Sequence, residues 1–134
     1  MMRPSFLRDE SGAAMVEFAI VLPVLCIFIF GAIDFGRALK IYNNLAAAAR
    51  DGARFGATQS PPSPTAISTR TQTAFQSAMG MTLPAGNIQV ETDNATFVAV
   101  RINDYQYQPW TPIPGGQALT FNIRAQFRLE PTGP

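Results

Sequence analysis

The sequence predicts an α+β protein made of a stalk and a head: a long N-terminal transmembrane helix continues into a small head with a second helix and a three- or four-stranded antiparallel sheet. Three observations carry this. From Ala13 to Ile33 the only charged residue is Glu17. Between Asp34 and Ala57, small and apolar residues recur at spacings of three and four. From Leu119 to Leu129, apolar and polar residues alternate strictly. The first pattern is that of a membrane span, the second of an amphipathic helix, and the third of a strand with one wet face.

The apolar run gives about 31 Å of helix at 1.5 Å per residue, which matches the hydrocarbon thickness of a bilayer. A cleaved secretory signal would need a small-residue site after Phe30, but "GAIDFGR", residues 31–37, has no A-x-A pattern, so the helix is expected to be retained. Pro23 lacks an N–H and should release the carbonyl of Ala19, bending or locally unwinding the helix. Arg3 and Arg8 precede the span, and Arg37, Lys40 and Arg50 follow it, so the cation count alone does not orient it.

Beyond the span, Phe35, Ala38, Tyr42, Leu45, Ala49, Ala53 and Gly56 are expected to share one helical face, with Gly52 and Gly56 keeping that face slim. "TQSPPSPT", residues 58–65, cannot continue the helix. Ser63 followed by Pro64 reads as an N-cap with proline at the first helical position, and Gly80 as the stop. On the intervening helix, Ile67, Thr71, Ala74, Phe75, Ala78 and Met79 fall on one face. Strand patterns follow: Ile88 and Val90, a turn at Asp93-Asn94, then Val98, Val100 and Ile102, and last the run from Leu119. The proline-rich loop "QPWTPIPGG", residues 108–116, presents Trp110, the single tryptophan, either as a partner-binding tip or as a cap on the sheet edge.

The chain has 134 residues, 10 Lys plus Arg against 9 Asp plus Glu, and no histidine. That charge balance gives no footprint for nucleic acid. One cysteine, Cys26, and no histidine leave neither a disulfide framework, a Cys/His metal site nor a histidine-activated nucleophile, and no cofactor is expected. Glu91, Asp93 and Asp104 are the plausible acid/base groups of the head, but no nucleophile or phosphate loop accompanies them, so the chain is not expected to be an enzyme. The sequon "NAT", residues 94–96, is treated as accidental.

A carboxylate inside an apolar span costs about 2 to 4 kcal/mol and calls for a functional account. "RDESGAAMVEFAIVLPVL", "GAIDFGRAL" and "NNLAAAARDGARFGA" supply one. They resemble the class III leaders of Flp-type prepilins and, more closely, the TadE-like pseudopilins of the tight-adherence pilus system. The resemblance implies a leader over residues 1–12, a transmembrane and stalk helix over 13–57 and an exported, pilin-like α+β head over 58–134. It also implies cleavage by a prepilin peptidase between Gly12 and Ala13, with Glu17 and Phe18 as recognition and assembly residues. Flp pilins usually carry tyrosine at Phe18, whereas TadE-like chains commonly carry phenylalanine. Cleavage would free the amine of Ala13, about 6 Å along the axis from Glu17, as a partner for the carboxylate in the same chain or a neighbour. The implied partners are the peptidase, sister pilus subunits, the inner-membrane assembly platform and the bilayer. The implied role is in assembling an adhesive, biofilm-forming pilus, with the N-terminus cytoplasmic and the head periplasmic or extracellular. The alternative is a single-pass, membrane-anchored periplasmic binding domain in which Glu17 is incidental.

Overall fold

The computed structural model describes residues 10–93, 96–110 and 118–129. Residues 1–9 of the expected leader, Asn94 of the expected turn and sequon, and residues 111–117 of the proline-rich loop lie outside them. Helix α1 spans Glu10–Ala57. Helix α2 spans Pro64–Met79, a short 3-10 turn covers Ala85–Asn87, and the strands are β1, Ile88–Asp93, β2, Phe97–Tyr107, and β3, Leu119–Arg128. They form one antiparallel sheet in the order β1-β2-β3, with three strands among the described residues.

The local signals act as their chemistry requires. Pro23 lies inside α1 without interrupting it, so the locally unwound turn expected there does not form. At the start of α2 the Ser63 hydroxyl accepts from the Ala66 amide, with Pro64 next. At its end Gly80 takes φ 67°, a left-handed conformation that costs glycine little, and its N–H donates to the Gln76 carbonyl at 2.7 Å. The 48 residues of α1 span about 72 Å, far more than the head can cover. Its first half is bare, and from Asp34 onward one side packs against the rest of the chain.

That side differs from the expected one by a small rotation. Asp34, Ala38, Ile41, Leu45, Ala48, Ala49 and Ala53 are buried, whereas Phe35 is 71% exposed and Tyr42 44%, its ring edge-on to Phe121. The error comes from assigning Phe35 to the core by polarity, when its neighbour Asp34 occupies that direction. On α2, Ile67, Thr71 and Phe75 are buried as expected, but Ala78 faces solvent. Val98, Val100 and Ile102 of β2 meet these helices, together with Ile123 and Ala125 of β3. Leu119 and Phe127, also on the alternating β3 run, are exposed.

The stripe of small residues on α1 lets the layers approach closely. A Cβ on Gly52 would overlap the Thr71 hydroxyl, and one on Gly56 would lie 2.5 Å from Ile67 Cδ1 and 2.9 Å from Val98 Cγ1. Gly36, in contrast, has open space around it. Gly52→Ala and Gly56→Ala should therefore each destabilise the head by about 1 to 3 kcal/mol through overpacking. Gly36→Ala should be neutral or stabilising by up to about 1 kcal/mol from helix propensity. Thermal unfolding of the full chain in detergent micelles, followed by near-ultraviolet circular dichroism, compares the three.

Candidate functional site

Two regions carry the polar chemistry of the stalk. In the first, near the N-terminus, Gly12, Ala13, Glu17 and Phe18 are all helical and exposed. Ala13 and Glu17, four residues apart, lie on the same helical face. A side chain at Gly12 would meet nothing within 4 Å, so packing within one chain gives no reason for a glycine there. Among the described residues, no ion pair involves Glu17. With the Gly12–Ala13 bond intact the Ala13 nitrogen is a helical amide, not a cation, so the local partner envisaged for Glu17 does not exist in the uncut chain.

The second region, where the helix leaves the apolar run, was not anticipated as a site. Asp34 is only 8% exposed. The Tyr107 hydroxyl donates to its Oδ1 at 3.2 Å, and the Trp110 backbone N–H donates to the same oxygen at 3.1 Å. The Arg37 guanidinium, one turn along, stacks on the Trp110 ring 3.8 Å from its centroid. A buried carboxylate is tolerable when such donors replace its lost water.

A β-bulge aims the tyrosine. In the β2–β3 register Ile102 pairs with Ile123 and Tyr105 with Phe121, so Asn103 and Asp104 together oppose Asn122 alone. Asp104 takes φ 55°, and its N–H donates to the Asn122 side-chain oxygen at 2.9 Å. The extra residue shifts the alternation by one, so that Tyr105 and Tyr107 follow Ile102 on the helix-facing side. Tyr105 then packs edge-on against Phe75, and Tyr107 stacks with Phe121.

The remaining predicted residues do not assemble into a site. Trp110 is 78% exposed and rests against α1 through Arg37, rather than capping the sheet edge. Glu91 is held on the wet face of the sheet by Arg101 at 3.2 Å and Arg124 at 3.5 Å. Glu91 pairs with Ala99 while Asp104 lies past Ile102, so the register separates these carboxylates along the sheet.

The chain matches the family model described as TadE-like protein over residues 12–54. Over this stretch of the stalk, the chain is similar to TadE-like proteins. The match begins at Gly12, includes Glu17 and Asp34, and ends within the part of α1 that packs against the head. The similarity links this segment to the Tad pilus system. The long apolar helix fits a single-pass membrane anchor. No curated protein and no solved structure matches the chain.

Burial raises the pKa of Tyr107 above the ordinary 10.0; the Asp34 charge and its hydrogen bond add to this, while Arg37 opposes it. Burial alone raises Tyr105. Each phenol therefore keeps its proton in the folded head at a pH where the unfolded chain loses it. Their contribution to stability is intact below pH 10.0 and is lost as pH climbs through the raised values. A stability profile in micelles should fall above that pH in the parent chain. The fall should be shallower in Tyr107→Phe, which retains only the Tyr105 contribution.

Proposed function

We propose that this TadE-like protein is a minor pseudopilin, cut by a prepilin peptidase after Gly12 and inserted through its mature helix into a Tad pilus or its inner-membrane assembly platform. The observation that carries this reading is the family match opening at Gly12 on a bare apolar helix whose one charge between Ala13 and Ile33 is Glu17. Proteolysis creates the missing cation. The freed Ala13 ammonium sits at the start of the mature helix, about 6 Å along the axis from Glu17, where the helix macrodipole also favours a carboxylate.

Pairing between neighbouring subunits sets axial register as well as affinity. A subunit displaced along the fibre would leave both charges unpaired in an apolar environment, and breaking a buried pair in this way costs about 3 to 5 kcal/mol. The apolar residues around the pair supply most of the contact area, while the pair selects one alignment. The protein's action is associative rather than catalytic: it helps initiate, assemble or terminate a surface fibre that serves adhesion, with its head on the periplasmic or outer side.

Mass spectrometry of the protein from cells tests the first step, since the mature chain should begin at Ala13 and Gly12→Ala should accumulate the uncut form. Glu17→Ala should be processed and keep a folded head, yet be depleted from purified pili. Uncut protein supporting normal pili would refute the proposal.

A further inference from the structure

We infer that the Trp110 ring, with Phe35, Arg37 and Lys40, forms an interfacial anchor that seats the head directly on the lipid headgroup layer. This inference rests on the single-pass anchor and not on processing or pilus assembly. The apolar run ends at Ile33, and Asp34 is the next residue. The Trp110 backbone N–H donates to the Asp34 carboxylate at 3.1 Å, so that hydrogen bond fixes the tryptophan at the height of the helix where hydrocarbon gives way to headgroups.

The chemistry at that height is that of a membrane interface. Trp110 is 78% exposed and Phe35 71%, although neither lies in the described core. Tryptophan is favoured in this layer because its ring is apolar while its indole N–H remains wet. Arg37, stacked on the ring at 3.8 Å, lies about 4.5 Å farther along the helix than Asp34, and Lys40 about 9 Å farther. The exposed Lys40 is therefore positioned to reach lipid phosphates, while Arg37, with its Nη1 buried, braces the Trp110 ring at that height. Phe35 follows directly on the bare apolar run along the same helix, and a helix long and apolar enough to span a bilayer makes lipid the neighbour this surface fits.

The link works in both directions. Tyr107 and Trp110 belong to the head, and both grip Asp34 on the stalk, so the depth of the helix and the height of the head cannot change independently. The head is thereby held against the bilayer surface rather than swinging from it.

Trp110 is the single tryptophan, so its fluorescence reports this position without any substitution. The full chain would be reconstituted in phosphatidylcholine–phosphatidylglycerol vesicles containing lipids spin-labelled either near the headgroup or near the acyl-chain end, with Trp110→Phe as the emission blank. The headgroup-proximal label should quench strongly, the chain-end label weakly, and aqueous iodide less than it quenches free tryptophan amide. Emission open to iodide and untouched by either label would overturn the inference. So would stronger quenching by the deep label, or shielding from all three quenchers, which would indicate a protein neighbour instead. Protein that fails to float with the vesicles would overturn the membrane anchor itself. Normal pilus assembly has no bearing on any of these outcomes.

Discussion

The close seating of α2 and the sheet on the small-residue stripe of α1 supports everything else in this molecule. The strands and α2 alone offer only a single apolar layer, and the second half of α1 completes the core with Leu45, Ala49 and Ala53. Glycines on the helix allow larger side chains opposite: Thr71 fills the space beside Gly52, and Ile67 and Val98 fill the space beside Gly56. Burying a side chain such as Phe75 contributes about 1.5 to 3 kcal/mol, so a few such contacts account for much of the marginal stability of a small domain. The anchor is therefore part of the fold rather than a tether attached to it.

This arrangement has a mechanical consequence. A force applied along the transmembrane helix passes into the head through continuous helix and packed core, with no linker between them. The lower end of the junction is closed by Asp34, whose carboxylate holds Tyr107 at the end of β2 and the backbone of Trp110 just beyond it. The two arginine–glutamate contacts on the sheet's wet face are partly exposed and add little by comparison. The rigid connection suits a protein whose proposed work is to transmit position and load within an assembly.

The lower half of the stalk has the opposite character. Among the described residues none of it is buried, and Glu17 lies there without an ion-pair partner. An apolar helix with one carboxylate is incomplete in isolation. Lipid satisfies the hydrocarbon surface but leaves the charge costly, whereas a neighbouring helix that brings an ammonium satisfies both. The upper stalk is thus specified by contacts within the chain, and the lower stalk by what the chain inserts into.

The sequence by itself determined the features that depend on local chemistry or on period. These are the span from Ala13 to Ile33, the Ser63 and Gly80 caps of α2, the strand alternation up to Ile102, and the TadE-like segment around Gly12 and Glu17. Each is written within a few consecutive turns or residues, where side-chain direction and backbone preference act directly. Tertiary structure alone decided the junction. Asp34 is separated by 73 residues from Tyr107, and no local pattern reveals that the two meet. Period reasoning put Phe35 inside because it is apolar, but the donors waiting opposite Asp34 made the carboxylate the better occupant. The bulge at Asn103 and Asp104 hid the inward direction of Tyr107, since one extra residue reverses every later side chain in the strand. Trp110 was visible as an exposed aromatic, but its height beside the membrane exit followed only once its backbone was found bonded to the stalk.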